Sequence, residues 1–186
     1  MLNVSQKIAD EFGSKRGLLR FLVFGIKNSF GHYKKATKVD LRDVRRLVFI
    51  CSGNICRSPF GEEVSKVNDF EAVSYGLHCR GGDPAFEKTL HFSKELGYDL
   101  HAHRSQHISN YEPKTNDLLV VMEPAHLLEL ERLFPESKKV LIGILSSQRT
   151  VYLHDPYNTN DYFFLKCLRS IEIATKKLIT QVGNQK

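Results

Sequence analysis

Two residues in this 186-residue chain, Cys51 and Arg57, have the types and spacing to do chemistry. Between them stand Ser52, Gly53, Asn54, Ile55 and Cys56, enough backbone to wrap N–H groups around one small tetrahedral anion. Gly53 and Asn54 tolerate positive φ, so the loop can turn its amides inward. Arg57 offers a planar fork for two oxygens of a phosphate and keeps its charge at every working pH. The amides and that charge favour a thiolate at Cys51, and the hydroxyl of Ser58 can hydrogen-bond the sulfur. A thiolate at the floor of an anion cradle describes phosphoryl transfer through a cysteinyl-phosphate intermediate.

Breaking a phosphoester this way needs a proton donor for the departing oxygen, because an unprotonated alkoxide or phenolate leaves poorly. His154-Asp155-Pro156-Tyr157, late in the chain, contains a carboxyl group in a loop that can fold over the strand ends. Pro156 stiffens the residue after Asp155, and Tyr157 can stack beside an aromatic ring. An Asp-Pro pair by itself marks a turn and no more.

The elements that must position these groups follow from the apolar pattern. Leu47, Val48, Phe49 and Ile50 are consecutive apolar residues, which suits a parallel strand buried on both faces that delivers Cys51 at its end. Pro59 suits the first position of a helix whose positive end faces the cradle. Helices are expected over 60–67, from Asp83-Pro84 to Gly97, over 124–134 and over 161–182, with further strands over 71–74, 118–122 and 140–144. That alternation predicts an α/β fold: a central four-stranded parallel sheet with helices on both faces and the phosphate-binding loop at the C-terminal end of the first strand.

With 41% hydrophobic and 26% charged residues, the chain has the composition and length of one well-cored domain. Residues 46–186 are read as the catalytic domain and 1–45 as a basic, partly apolar N-terminal extension. Residues 1–46 hold 11 Lys and Arg against 4 Asp and Glu, a net +7, while the remainder holds 16 against 17, so the overall +6 comes from the extension. The catalytic part therefore has no global field for nucleic acid. Four cysteines, 51, 56, 79 and 167, have neither zinc-site spacing nor the density of a secreted scaffold, which implies a reducing, cytoplasmic setting. His101, His103 and His107 lack a carboxylate or cysteine at ligand spacing and are read as structural or surface histidines, so neither metal nor cofactor is expected. In the extension, residues 5–12 suit a short helix and 18–30 a second one broken by Gly25. Its apolar residues surround the helix instead of forming a stripe. Two uses compete: peripheral contact with an anionic membrane, or packing on the catalytic domain or a second copy. Its most apolar run, 17–26, is interrupted by Arg20 and too short to span a bilayer, and no cleavage site follows.

Residues 47–59, LVFICSGNICRSP, resemble the phosphate loop of the low-molecular-weight protein tyrosine phosphatases. The likeness runs from residue 46 to residue 182 and includes Ser74-Tyr75-Gly76-Leu77, His103-Arg104 and Val121-Met122-Glu123. It implies hydrolysis of phosphotyrosine, with Cys51 as nucleophile, Arg57 and the loop residues 52–58 on the phosphate, Asp155 as general acid and Tyr157 beside the substrate ring. It also implies that Asn54 holds the cradle, that Ser58, Ser74 and His103 support it, and that Cys56 can form a reversible disulfide with Cys51. Glu123 stands where the family often has aspartate, Asn158 where eukaryotic members often have a second tyrosine, and the pocket tryptophan of many eukaryotic members is absent. In these features the chain is similar to the bacterial branch encoded with capsule or exopolysaccharide genes. That branch implies a phosphotyrosine protein as partner, an autophosphorylating membrane tyrosine kinase of polysaccharide synthesis or export. Three other functions fit the cradle. An arsenate reductase would need a further cysteine pair, absent from residues 112–135. A phosphoarginine phosphatase of the same family carries threonine where Ile55 stands, and Ile55 crowds a guanidinium while accepting a flat ring. A non-catalytic phosphotyrosine-binding module has no need of both Cys51 and Asp155.

Overall fold

Along the first strand, Leu47, Phe49 and Cys51 enter one hydrophobic cluster while Val48 and Ile50 enter another, so both faces of the sheet are buried. A computed structural model describes residues 3–184. Its strands are β1 (Arg46–Cys51), β2 (Ala72–Gly76), β3 (Asp117–Val121) and β4 (Lys138–Leu141), all parallel and arranged β2-β1-β3-β4. Every residue of β1 is buried, as its unbroken apolar run requires of a strand covered on both sides. The chain leaves β1 for β2 on one side and later returns as β3 on the other, which opens a crevice at the C-terminal end of β1. Cys51 lies at that end.

Among the described residues seven α-helices surround the sheet: α1 (Val4–Phe12), α2 (Lys15–Ser29), α3 (Lys34–Thr37), α4 (Arg57–Val67), α5 (Glu87–Glu95), α6 (Pro124–Leu133) and α7 (Asp161–Gly183). Phe60 of α4, Phe92 of α5 and Phe164 and Leu168 of α7 fill the face shared with Phe49. Leu127 and Leu130 of α6 fill the other, together with Ala36 of α3. At the edge remote from Cys51, Arg46 makes a buried two-pronged pair with Asp117 (2.8 and 2.7 Å) that ties β1 to β3.

Several boundaries differ from expectation for identifiable reasons. Helix α4 begins at Arg57, so Pro59 occupies its third position; the N–H it lacks has no intrahelical acceptor there. Asp83-Pro84 does not open α5, whose first residue is Glu87. Asp83 is instead pinned to Ser105, its N–H donating to the Ser105 hydroxyl (3.0 Å) and its carbonyl accepting from the Ser105 N–H (2.8 Å). β4 stops at Leu141 and continues as a 3₁₀ turn over Ile142–Leu145. Thr150 returns against Gly143 there, so closely that a Cβ on Gly143 would lie 2.4 Å from its carbonyl oxygen. Gly25 does not break α2, because the helix passes through it in open space.

The N-terminal helices pack on the sheet domain. α1 contacts α7, and α3 contacts β4. At the α1–α2 junction Gly13 adopts φ +78°, and a Cβ there would lie 2.5 Å from the His154 ring. Gly17 approaches the same ring and the Phe12 carbonyl, so both positions need glycine for close contact, and Gly13 needs it for the turn as well.

Candidate active site

Strand β1 ends at Cys51 and α4 starts at Arg57, and the cradle between them is held by Asn54. This residue sits at φ +53°, fully buried, with every polar group engaged. Its N–H donates to Cys51 Sγ at 3.2 Å, and its amide donates to the hydroxyls of Ser58 (2.9 Å) and Ser74 (2.7 Å). Its side-chain oxygen accepts from the Gln106 N–H (2.7 Å), and its carbonyl accepts from His103 Nε2 (2.7 Å). Burial holds the His103 imidazole below its usual range, so the neutral Nε2–H form makes that bond. Since Ser58 Oγ already accepts from Asn54, its one hydrogen is free for Cys51 Sγ at 3.0 Å, nearer than the Tyr75 carbonyl at 3.4 Å.

The sequence places all of residues 52–58 on the phosphate. The structure divides them: Ser52, Gly53, Ile55, Cys56 and Arg57 line a cleft of about 430 Å³ over Cys51, whereas the side chains of Asn54 and Ser58 are fully buried behind it. Their polar groups are used up by the supporting bonds. Asn54→Ala is therefore expected to cost about 3 kcal/mol or more of stability in urea denaturation. Unsatisfied buried partners cost about 1–3 kcal/mol each, and a left-handed alanine about 1–2 kcal/mol. An unchanged midpoint would show that the network carries no strain-bearing load.

Arg57 is buried, with one nitrogen donating to the Leu153 carbonyl at 3.0 Å and another to the Asp155 carboxylate at 2.6 Å. Glu123 lies 3.6 Å away on its other side. Burial works against the guanidinium charge, but Asp155 and Glu123 outweigh it and raise the pKa further, so Arg57 is always a cation. Glu123 responds in kind. Its own burial opposes ionisation, yet the His126 hydrogen bond and the Arg57 charge hold its carboxyl at about 2.

Sequence reasoning did not find His126, which is buried on the first turn of α6 with Nε2 3.1 Å from Glu123 and 3.0 Å from Ser52 Oγ. We assign the hydrogen to Nε2, shared between the two oxygens. Nδ1, which has no partner, is then a bare acceptor and not a stranded donor. Burial favours the neutral ring. The only signal available was the three-residue spacing from Glu123 to His126, which places both at the start of one helix.

Asp155 overhangs the cleft from the loop before α7. Its second oxygen accepts from the Tyr157 N–H at 3.1 Å, which fixes the turn through Pro156. Tyr157 is 45% exposed and its ring packs against Phe86 at 4.5 Å between centroids, forming an aromatic wall beside the acid. Phe86 escaped the sequence reading. So did the support beneath the loop: His154 Nδ1 meets the Tyr152 hydroxyl (2.6 Å), His154 Nε2 meets the Ser14 hydroxyl (3.2 Å), and the His154 carbonyl accepts from Cys167 Sγ (3.7 Å). Ser14 itself lines the cleft, so the N-terminal segment contributes to the site's rim. Among the described residues no group of three or more His, Cys, Asp or Glu converges as metal ligands.

A cysteine, an arginine and an aspartate converge over one cleft at the C-terminal edge of a parallel sheet, and comparison with known proteins places the chain among the phosphatases. The family model "Low molecular weight phosphotyrosine protein phosphatase" matches residues 46–186, and the chain belongs to that family. It is 29% identical to the probable low molecular weight protein-tyrosine-phosphatase AmsI of Erwinia amylovora over 144 residues, 75% of this chain and 99% of that protein. The crystal structure of the tyrosine phosphatase Wzb from Escherichia coli K30 with sulphate superposes with a TM-score of 0.66 at 28% identity, covering 75% of this chain and 99% of that one. The YwlE arginine phosphatase from Geobacillus stearothermophilus shares the fold, with a TM-score of 0.66 over 76% of this chain and 94% of that one, at 21% identity.

Proposed function

We propose that this enzyme hydrolyses phosphotyrosine on proteins in two steps. The Cys51 thiolate attacks phosphorus while the P–O bond to the phenol breaks, and Asp155 gives its proton to the departing oxygen. Asp155, now a carboxylate, takes a proton from water as the water attacks the cysteinyl phosphate. The P–S bond breaks, and the thiolate and inorganic phosphate are released. Arg57 and the loop amides hold the equatorial oxygens in both steps, and Ser58 steadies the sulfur as it leaves.

The observation that carries this reading is the placement of Asp155 on Arg57 at 2.6 Å, which puts the acid within one side chain of the phosphate site. Ile55 on the cleft wall and the Tyr157–Phe86 pair favour a flat aromatic ring over a guanidinium. Steady-state hydrolysis of phosphotyrosine, phosphoserine and phosphoarginine peptides side by side is expected to favour the first strongly. Faster turnover of phosphoarginine would replace this reading with the alternative one.

The resemblance to the bacterial polysaccharide branch supports a cytoplasmic enzyme whose substrate is the tyrosine-rich tail of an autophosphorylating membrane kinase of polysaccharide synthesis or export. Phosphotyrosine proteins retained from lysate by immobilised Cys51→Ser test this; retention of no such kinase counts against it.

The same loop supports a redox role for Cys56. Hydrogen peroxide oxidises the Cys51 thiolate to a sulfenic acid and is itself reduced to water, and the Cys56 thiol then condenses with that sulfur, losing a second water and forming a disulfide. Burial pushes the Cys56 thiol up to about 12, so it waits as a protonated resolving group and not as a second nucleophile. Peptide mapping after mild peroxide treatment is expected to show a Cys51–Cys56 bond that dithiothreitol reverses. Irreversible oxidation of Cys51 beside a free Cys56 would contradict it.

A further inference from the structure

Helix α2 has two apolar faces with different fates. Gly17, Phe21 and Phe24 turn inward, Phe21 against Phe12 (5.2 Å between ring centroids) and Phe24 against Tyr152 (5.3 Å). Leu19, Leu22, Val23, Ile26 and, just past the helix, Phe30 turn outward and are 62, 51, 40, 59 and 80% exposed. Their spacing of three, one, three and four residues makes one stripe along the helix. The all-round apolar pattern in the sequence is thus an inner packing face plus an outer face that nothing among the described residues covers. The other large exposed apolar residues, such as Val67, Leu133 and Ile173, are scattered over different helices.

The charges around the stripe select what it meets. From residue 12 to residue 39 the chain has no Asp or Glu and seven basic residues, Lys15, Arg16 and Arg20 in the first half and Lys27, Lys34, Lys35 and Lys38 in the second. All but Arg20 are exposed. Pairing this face with the same face of a second copy would set the two cationic groups against each other while burying both. An anionic lipid surface offers both complements at once: acyl chains for the stripe, phosphates for the lysines. The helix, 15 residues long, rises only about 22 Å, less than a bilayer's hydrocarbon core. No described helix is long and apolar enough to cross a membrane, so this one would lie in the interface.

We propose that the outer face of α2 docks the enzyme on an anionic membrane surface. Because Ser14 caps the start of α2, accepting from the Gly17 N–H at 2.9 Å, and also lines the catalytic cleft, docking holds the cleft mouth at the level of the headgroups. Phosphotyrosines on segments close to the membrane are then favoured by proximity. This docking stands independently of the substrate assigned above, since binding alone tests it.

The test uses full-length protein and vesicles of phosphatidylglycerol mixed with phosphatidylcholine, against phosphatidylcholine alone. Co-sedimentation is expected only with the anionic vesicles, and raising salt should weaken it. Leu22→Glu/Ile26→Glu and, separately, Lys34→Glu/Lys35→Glu should each weaken partitioning by about tenfold or more. All four positions are exposed, so both variants should match the wild-type rate on a small aryl phosphate, which separates lost docking from lost folding. Equal partitioning onto both vesicle types overturns the proposal. So does a concentration-dependent dimer, seen by light scattering and abolished by Leu22→Glu/Ile26→Glu, in a protein that ignores vesicles.

Discussion

Replacing Cys51 by serine is expected to bring turnover of an aryl phosphate below about a hundredth of the wild-type rate, the loss that marks an essential nucleophile. The surroundings of the sulfur explain why oxygen cannot substitute. Cys51 Sγ receives the Asn54 N–H at 3.2 Å and stands 3.0 Å from the Ser58 hydroxyl. Both partners are arranged to stabilise an anion, and neither is a base that could remove a proton from a serine hydroxyl. The phosphate site should survive, because Arg57 keeps its bond to the Leu153 carbonyl and the loop backbone is anchored through Asn54. The variant should therefore bind inorganic phosphate, measured by calorimetry or by protection against thermal unfolding, while failing to turn over. Activity well above a hundredth of wild type would remove Cys51 from the reaction, and lost phosphate binding would show that the thiol shapes the cradle itself.

The parts of the fold visible in the sequence are those whose cause is local. Four consecutive apolar residues before Cys51 are enough to specify a strand buried on both sides, and the alternation of strands with helices gives the parallel sheet. The cradle was legible in part: Asn54 takes the positive φ that its type tolerates, whereas Gly53 turns the loop without it. What the sequence hides is decided across distance. Asp83-Pro84 has the form of a helix start, but Ser105, 22 residues away, claims both backbone groups of Asp83. Gly25 reads as a break, yet a mid-helix glycine costs only about 1 kcal/mol, less than the packing of Phe21 and Phe24 on either side of a turn contributes. Likewise, nothing in the composition of the N-terminal segment shows that Ser14 reaches His154 across 140 residues to meet the loop that carries Asp155. The α2 periodicity was unreadable because both of its faces are apolar. Only the packed structure tells the inner face from the outer.

Asp155→Asn is expected to slow hydrolysis of phenyl phosphate by about a hundredfold or more, the usual worth of a general acid, while slowing dinitrophenyl phosphate far less. Phenolate is basic and must leave protonated; dinitrophenolate is stable enough to leave as it is. A second effect of the same substitution has the opposite sign. The Asp155 carboxylate holds Arg57 at 2.6 Å, on the guanidinium that the equatorial oxygens of a bound phosphate also need, so the native acid competes with the anion it serves. Asparagine keeps the shape but has a single side-chain oxygen, which either faces Arg57 or accepts from the Tyr157 N–H, and it lacks the charge. Asp155 is 43% exposed, which limits the pair to the roughly 1 kcal/mol typical of solvent-screened ion pairs. Removing it should therefore tighten inorganic phosphate binding by up to about fivefold while the phenyl phosphate rate collapses. A merely structural Asp155 would behave otherwise: both substrates would slow equally, whatever happened to phosphate binding. A loss that grows with the basicity of the leaving phenol, together with tighter product binding, is the combination that only an acid paired to the phosphate-holding arginine produces.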